Sequence, residues 1–531
     1  MRSAGSLVVL VACGLCPSLA RAAEGEEELI DDPLSTAPKP APEASKATGS
    51  SESGGAAKPS DSSSPHFHLD VWLRAAADTH WTRDDVVPAL GEDVVRERLW
   101  TTLGVSGGAP TGVRYVLETR LVLENRAKRA GSGNGWPLDR ASWLYEALVT
   151  AAFVDVPLGE RVRARVGEQV VTWGRMDLAS AADVLERRDL REPPSADPSG
   201  ARLPTPTVRL DVHASDAIDA TLAWTVVAMP HRFELLGSSW ALLGPGVLGG
   251  AGGALRDRLA AVAAATDQTT FTRVQQGLVD ASTPAARPDG GELAARVDAH
   301  LGGADVGLTY GWVRTKLPVI DVDPVLRDFR GEIADGVALL RALNEGRPLI
   351  GVSYPRYHQL ALDLEGTAGP LTLSWELGYT PKRPLYVRDA SGFPVRADAG
   401  LAQIGVRAQW ASDDTLIAAE ADVFEVTGAP PDGAGPWLGF GPHRSLAALL
   451  ATADTKIGDR LHVGLGALTT TSGPSLALLP RAGWELDDAW TLGLAASFFP
   501  RLRTSPAREG LTLADTLHDR DFVEASVRYR R

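Results

Sequence analysis

Alternating arginines in one short segment are the residues of this sequence best suited to act on a charged solute. Arg161, Arg163 and Arg165 occupy every second position and precede Gly167 and Gln169, so all five share one face of a strand. An arginine on the lipid face of a membrane-spanning strand costs about 2–4 kcal/mol at the bilayer midplane, so this face is predicted to line a barrel interior or a rim. Charges placed there set ion selectivity and orient polar solutes.

The residues that follow are predicted to leave the strand. Trp173 and Gly174 begin a turn into a loop with a short helix, which Ser180 caps and which ends before Pro193. A loop that folds inward from such a strand narrows a channel, so its charged residues are candidates for a constriction: Asp177, Asp183, Glu186, Arg187, Arg188, Asp189 and Arg191. A solvated surface helix with balanced charges is the alternative.

No motif for covalent or metal chemistry accompanies these charges. The sequence contains no G-x-S-x-G, H-E-x-x-H or Walker pattern, and no G-x-G-x-x-G after a strand. Its ten histidines are scattered. We therefore predict that the protein is not an enzyme, uses no cofactor and has no metal site.

Composition narrows the class of protein further. The 531 residues include 53 basic and 67 acidic side chains, which give a formal net charge of -14. This charge excludes a nucleic-acid binder, because affinity for nucleic acid comes mainly from Lys and Arg that neutralise phosphates. The two cysteines, Cys13 and Cys16, both lie near the start, so a disulfide scaffold in the body is excluded as well.

The first 65 residues are predicted to lie outside the folded domain. Residues 1–22 have the pattern of a cleavable secretory signal peptide, with Arg2, an apolar stretch and an A-x-A site ending at Ala22. A lipoprotein signal, with Cys13 as the lipidated residue, is the alternative. Residues 23–65, rich in Pro, Ser and Ala, predict a disordered periplasmic tether.

A period of two dominates residues 66–531. At 371–379 apolar side chains alternate with polar ones, and similar segments of about ten residues recur. They predict an all-β fold, a transmembrane antiparallel β-barrel of about 18 strands, with 16 as the alternative, and short helices in extracellular loops. The predicted strands are 66–79, 94–106, 112–124, 143–156, 161–173, 206–214, 217–229, 292–301, 304–314, 356–366, 370–380, 400–411, 414–426, 443–453, 459–469, 475–484, 489–499 and 521–530.

The connections between these strands favour the barrel over a soluble exported β-sandwich or propeller. Tight turns at 107–110, 157–160, 215–216, 302–303, 367–369 and 412–413 alternate with long connections, as in outer-membrane barrels. Seven tryptophans lie at or near predicted strand ends, where interfacial girdles occur: Trp72, Trp100, Trp143, Trp173, Trp312, Trp410 and Trp490.

The polar faces predict a pore lining with a basic wall opposite an acidic wall. The pore-lining candidates are Arg74, Arg98, Arg114, Arg120, Arg161, Arg163, Arg165, Gln169, Arg209, Glu376, Glu420 and Asp422. Such a transverse field orients dipolar solutes. Salt bridges that fill a closed interior would use the same residues.

Residues 161–191 also carry a resemblance. Gly167-x-Gln169-Val-Val-x-Trp173-Gly174, followed by Asp183-x-Leu185 and Arg188-Asp189-Leu190-Arg191, resembles a family of uncharacterised proteobacterial outer-membrane proteins and is more distantly similar to the alginate-export porins. The resemblance implies a single-chain barrel, with eighteen strands in the alginate-export members. Glu168 departs from the family pattern, in which the residue between Gly and Gln is often basic, and the chain ends two residues after Tyr529 rather than on an aromatic residue.

These patterns together predict a porin-like channel for passive passage of small hydrophilic or anionic solutes. We expect a monomer in the outer membrane of a Gram-negative cell, in contact with outer-membrane lipid and with the barrel-assembly machinery. Residues 255–279 and 325–343 have helix-like patterns. If they plug the pore, the alternative is a structural barrel whose loops bind a partner or matrix; a soluble exported β protein is the second alternative.

Overall fold

The computed structural model describes residues 65–78, 94–109, 111–128, 142–190, 201–232, 290–388, 394–432, 444–470, 475–500 and 521–531, with part of 258–274. In these residues, eighteen strands form one antiparallel sheet that closes on itself. They are β1 (His66–Asp78), β2 (Val94–Gly108), β3 (Arg114–Lys128), β4 (Ser142–Pro157), β5 (Val162–Gln169), β8 (Thr205–Ser215), β9 (Ile218–Thr225), β10 (Glu292–His300), β11 (Ala304–Arg314), β14 (Arg356–Ala368), β15 (Leu371–Arg388), β16 (Pro394–Ala411), β17 (Thr415–Thr427), β18 (Ser445–Ile457), β19 (Leu461–Thr470), β20 (Ser475–Glu485), β21 (Trp490–Ser497) and β22 (Phe522–Arg530).

This sheet confirms the predicted fold class, an antiparallel β-barrel of 18 strands, and each predicted strand is present. In the described ranges, two short strand pairs lie outside the barrel sheet: β6 (Arg187–Arg188) with β7 (Arg202–Leu203), and β12 (Val319–Val322) with β13 (Ile350–Ser353). The signal peptide and all of the tether except Pro65 lie outside the described residues, so both stay predictions.

Alternation of side chains gives the wall two different surfaces. On β14, Leu360, Leu362 and Leu364 are 41–48 % exposed on the outside, whereas Ala361 and Asp363 are buried on the inside. Successive side chains of a strand point to opposite faces, so the apolar residues form the outer surface and the charged ones the interior.

The two ends of the barrel differ in their connections. At one end, which we call the turn rim, short turns join neighbouring strands, such as Gly369-Pro370 between β14 and β15 and residues 412–414 between β16 and β17. At the other end, the loop rim, residues 170–204, 226–291 and 315–355 connect the strands. At this rim β15 is followed by β16 after only five residues of the chain, and β19 by β20 after only four, so the predicted alternation holds for most of the chain but not all of it.

The first and last strands close the barrel. β1 pairs with β22, and Leu69 and Arg531 exchange two backbone hydrogen bonds of 2.7 and 2.9 Å. Near this seam, the ring of Tyr529 lies 4.9 Å from that of Trp490. The final residues are therefore part of the barrel wall.

Two long connections pack against each other at the loop rim. Helices α1 (Pro324–Arg327) and α2 (Ile333–Asn344) follow β12, in agreement with the helical pattern at 325–343. Described residues of 258–274 are also largely helical, and Leu259 and Val262 pack with Phe329 and Leu339. Within the described residues, no helix is both long and apolar enough to cross a membrane.

Candidate functional site

Strand β5 leaves the barrel wall after Gln169, which makes it one of the shortest strands of the sheet. Gly167 has a φ of 138°, and a Cβ atom there would lie 2.0 Å from the carbonyl oxygen of Ala152. Glycine tolerates this conformation because it has no Cβ. Gln169, which is 2 % exposed, donates from Nε2 to the Thr207 carbonyl at 3.0 Å. The next residues, 170–190, form what we call the inward segment.

The inward segment crosses the barrel interior to the far wall. In sheet order the strands after β5 are β8, β9, β10, β11, β14, β15, β16 and β17, so β15 and β17 are six and eight strands away in a barrel of eighteen. The segment contacts side chains of both.

Glu376 of β15 holds the middle of the inward segment. Its carboxylate is fully buried and accepts hydrogen bonds from the backbone N–H groups of Arg175 and Ala181, the latter at 2.8 Å. The Ser180 hydroxyl donates to both oxygens, at 3.1 and 2.9 Å. The carboxylate thus provides hydrogen-bond acceptors for backbone N–H groups that have no partner in a helix or sheet.

Glu420 of β17 holds the neighbouring turn of the segment. It accepts from the backbone N–H groups of Asp177, at 2.7 Å, and Leu178, at 2.6 Å. Gln403 donates to the Ala179 carbonyl at 2.6 Å. Asp422, two residues beyond Glu420, is also fully buried in the interior.

Ion pairs add to this attachment. The Arg175 guanidinium lies 2.7 Å from an oxygen of Asp363 and 2.9 Å from one of Glu365. From the wall, Arg407 reaches Asp177, with Nη2 2.6 Å from Oδ2. Charge-assisted hydrogen bonds of this kind are stronger than neutral ones and fix the geometry of the segment.

The short helix predicted to begin at Ser180 and to end before Pro193 is wrong for the residues that are described. Residues 180–190 contain bends, turns and an extended pair, and no helical turn. The backbone N–H groups donate to Glu376 and Glu420 instead of to carbonyls of a helix. The Ser180 hydroxyl donates to Glu376 and also accepts the backbone N–H of Asp183, at 3.2 Å.

Asp183 joins the two ends of a turn within the inward segment. Its Oδ1 accepts from the backbone N–H groups of Trp173, at 2.5 Å, and Gly174, at 2.7 Å. Burial and the nearby Glu186 carboxylate raise the pKa of Asp183, while Arg202 and the two backbone donors oppose the rise. The segment therefore returns on itself inside the barrel.

The remaining constriction candidates lie at the end of the inward segment. Arg188 pairs with Glu186 at 2.6 Å, and Arg187 donates to the Pro230 carbonyl at 2.9 Å. The backbone of Asp189 pairs with that of Arg232. Arg191 lies outside the described residues. The structure therefore brings the described candidates together inside the barrel, and their role in a constriction stays a prediction.

The arginines predicted to form a basic wall lie in the interior, where most are paired. Arg74 contacts Glu524 at 2.9 Å and Arg98 contacts Glu124, while Arg209 lies 2.8 Å from Asp211. Among the described residues, the only side-chain hydrogen bond that Arg120 makes is with Thr102, at 3.4 Å. The wall is thus largely a set of ion pairs rather than a row of free cations.

A single buried aspartate gathers three of the predicted arginines. Asp155 of β4 lies 3.0 Å from Arg114, 3.3 Å from Arg163 and 3.1 Å from Arg165. Arg161 lies just before β5, at the turn rim, and contacts the Ala214 carbonyl at 3.4 Å. Positive charge exceeds negative charge in this cluster.

Three of the tryptophans predicted to form an interfacial girdle point inward instead. Trp100, which is 5 % exposed, lies 5.3 Å from Trp72, and Arg74 lies over both rings at about 5 Å. Trp173 is also buried, in the interior. Cation–π contacts with arginine explain why indoles are retained on this polar face. Trp312, Trp410 and Trp490 are 39–43 % exposed, whereas the Trp143 side chain lies outside the described residues.

Sequence reasoning missed residues that organise the site. Arg175 is a single basic residue in a loop, and nothing in its local pattern distinguishes it from a surface arginine. Asp155 and Glu124 alternate with outward apolar residues on their strands, so their inward direction was readable from the period of two. Their partners were not readable, because strand register decides them.

Sequence comparison gives a family. A family model described as "Protein of unknown function (DUF1302)" matches residues 124–530. No curated protein matches the chain.

Several solved structures are similar in architecture. A BenF-like porin from Pseudomonas fluorescens is 10% identical with a TM-score of 0.47, over 88% of this chain and 98% of that one. Acinetobacter baumannii OccAB1 is 8% identical with a TM-score of 0.45, over 88% and 96%. Salmonella typhi OmpF, in complex with daunomycin, is 10% identical with a TM-score of 0.41, over 89% and 99%. These are Occ, BenF-like and OmpF proteins rather than alginate-export porins specifically.

Proposed function

Because the chain belongs to the DUF1302 family, whose function is unknown, we propose a function from its own geometry: it is a porin-like channel of the outer membrane that passes small hydrophilic or anionic solutes by diffusion. The inward segment carries this proposal. A wall of eighteen strands encloses an interior, and a segment from one wall is fixed to the other by Glu376 and Glu420. Such an arrangement narrows a passage and keeps charged groups in it.

The charges near the turn rim support a preference for anions. Arg114, Arg163 and Arg165 share Asp155 near the turn rim, and the first two are 30% and 27% exposed. Partly exposed guanidinium groups in excess over carboxylates attract anionic solutes. Beyond them, the inward segment provides the narrow part of the route.

The apolar outer surface supports the proposed location. Leucines such as Leu362, Leu373 and Leu492 are 37–44 % exposed on the outside of the wall. A barrel surface in contact with the hydrocarbon of a membrane carries apolar side chains of this kind. We propose that the protein is exported by its signal peptide, inserted by the barrel-assembly machinery and monomeric in the outer membrane. On this orientation the turn rim is periplasmic and the loop rim extracellular.

Conductance of the purified protein tests the proposal. The folded barrel should migrate differently on gels before and after heating, and it should give discrete channels in planar bilayers. Ion selectivity from the reversal potential in a salt gradient should favour anions. A heat-modifiable barrel that never conducts would refute the channel.

A plugged barrel is the second candidate function, and the packing at the loop rim favours it. Leu259, Phe329 and Leu339 belong to a compact apolar cluster built from both long connections. In this candidate the connections cover the interior and bind a partner. Deletion of residues 255–279 separates the two: removal of a plug opens a large pore, whereas an open channel keeps its conductance.

A further inference from the structure

A cavity of about 260 Å³ lies inside the barrel on the loop-rim side of the inward segment. Its lining comes mainly from the inward segment, residues 315–319 and the parts of β14–β18 nearest the loop rim. Gly378 and Thr380 of its lining lie just beyond Glu376 along β15. A solute that enters from the loop rim therefore meets this cavity before it meets the residues that hold the inward segment.

One part of the cavity is apolar. Leu385, Phe424 and Leu446 line it and are at most 8% exposed, and Val184 of the inward segment and Leu317 complete this part. Small-molecule sites combine such a surface with a few polar groups that fix orientation. An apolar body of a ligand fits here better than a fully hydrated ion.

Arg383 supplies a positive charge to the cavity. A break in strand register between Thr380 and Arg383 redirects β15, and the guanidinium lies 4.2 Å over the ring of Tyr357. In the described part of the chain, Arg383 has no ion pair with a carboxylate. The other cations of the lining are paired: Arg188 with Glu186 and Lys316 with Glu292, both at 2.6 Å.

His231 supplies a neutral donor to the same cavity. Its Nδ1 accepts the backbone N–H of Arg188 at 2.9 Å, so the ring proton resides on Nε2. Burial, together with Arg188, Lys316, Arg187 and Arg383, lowers the pKa of His231 well below its usual value, so the ring stays neutral. Nε2 has no hydrogen-bond partner among the described residues.

A third polar group of the lining has no hydrogen-bond partner within the part of the chain that the structure describes. The hydroxyl of Thr315, which is 6% exposed, lines the cavity and makes no hydrogen bond within the described residues. A buried hydroxyl without a partner is unfavourable unless a ligand or water satisfies it. Arg383, His231 and Thr315 thus offer donors beside an apolar surface.

We propose that this cavity is a binding site for a small monocarboxylate with an aromatic or aliphatic body. Arg383, which has no carboxylate partner among the described residues, matches one negative charge. The Nε2–H and hydroxyl groups complete the recognition of a carboxylate, and the apolar lining takes the body. The inference rests on the proposed function, since the site lies on the route to the inward segment and would select solutes before passage.

Calorimetric titration of the full-length barrel in detergent with benzoate tests the site. Benzoate should bind, and benzamide, its neutral analogue, should bind at least about tenfold more weakly because it lacks the charge. Arg383→Gln should weaken benzoate binding by about tenfold or more. Thr315→Val should weaken it by a smaller factor.

Arg396→Gln is the matched control. Arg396 lies on the neighbouring strand, is 36% exposed and pairs with Asp398 at 2.9 Å, outside the cavity lining. Its replacement should leave benzoate affinity unchanged. If Arg383→Gln does not fold, His231→Leu tests the same site: it removes the Nε2–H donor, so benzoate affinity should fall, and unchanged affinity would overturn the site.

The outcomes separate this site from the channel. Absence of benzoate binding to a barrel that conducts potassium chloride overturns the site and leaves the channel in place. Equal affinity for benzoate and benzamide also overturns it. Benzoate binding that depends on Arg383, in a barrel that does not conduct, supports the site and refutes the channel.

Discussion

The hydroxyl of Ser180, on the inward segment, donates to both carboxylate oxygens of Glu376, on the far wall of the barrel, at 3.1 and 2.9 Å. The same carboxylate accepts backbone N–H groups from both sides of Ser180 in the chain. One side chain of the wall therefore fixes the position of a segment that crosses the interior.

Loss of the two wall carboxylates should widen the channel. In Glu376→Gln and Glu420→Gln an amide NH₂ replaces one acceptor oxygen and faces backbone donors, and each lost charge-assisted bond is worth about 1.5–3 kcal/mol. We expect single-channel conductance in planar bilayers to rise about twofold in the double variant, with noisier open levels. Glu485→Gln, at the turn rim beside His462, is the control. Unchanged conductance in the double variant would show that the segment does not limit flow.

Asp177 and Arg407 should be energetically coupled. Their 2.6 Å contact joins the inward segment to β16, and both side chains are at most 15% exposed. A double-mutant cycle with Asp177→Asn and Arg407→Gln, read from the free energy of unfolding, should give a coupling of about 0.5–3 kcal/mol. Additive effects of the two substitutions would mean that the segment moves independently of the wall.

Arg74→Gln should destabilise the barrel. It leaves Glu524 buried without its guanidinium, which lies 2.9 Å away in the wild type. Removal of one partner of a buried pair costs about 3–5 kcal/mol, so the free energy of unfolding should fall by about that amount. Arg341→Gln, whose side chain is 80% exposed on α2, should change it by less than about 1 kcal/mol.

Arg120→Gln should instead change ion selectivity. Arg120 lies 4.8 Å over Trp100 and contacts Thr102, and no carboxylate pairs with it among the described residues. Removal of this charge should lower the permeability of chloride relative to potassium, measured as a shift in reversal potential. The free energy of unfolding should stay close to that of the wild type; a large loss of stability without a shift would contradict this role.

His231 should make stability depend on pH below about 6.5. Burial first, and then the charges of Arg188, Lys316, Arg187 and Arg383, lower its pKa in the folded protein. Below about pH 6.5 the unfolded chain binds a proton that the folded chain does not, so the free energy of unfolding falls by up to about 1.4 kcal/mol per pH unit.

The difference between the wild type and His231→Gln isolates this effect, because carboxylates titrate equally in both proteins. The two proteins should differ in pH dependence between about pH 6.5 and pH 5 and should run parallel above pH 7. Parallel curves at all these pH values would mean that the folded His231 titrates normally.

Much of the wall was predictable from the sequence, and much of the site was not. The register of β14, with Leu360, Leu362 and Leu364 outside and Asp363 inside, follows from local alternation. Residue type predicts Trp72 and Trp100 on the outside, although each alternates in phase with an inward arginine, Arg74 or Arg98. Here the period of two was the better guide. The predicted helix after Ser180 does not form, because distant carboxylates compete for the same backbone donors and a local capping pattern carries no information about them.

The sequence by itself determined the strands, their two faces and the turns that join them, because a period of two and turn-forming residues act between near neighbours in the chain. Only the tertiary structure decided that Arg175 and Asp177 meet Glu376 and Glu420, since these pairs are separated by 201 and 243 positions. Closure of the barrel brings the two walls within reach of one segment. The pairing of buried charges then depends on register and shape, which no local pattern encodes.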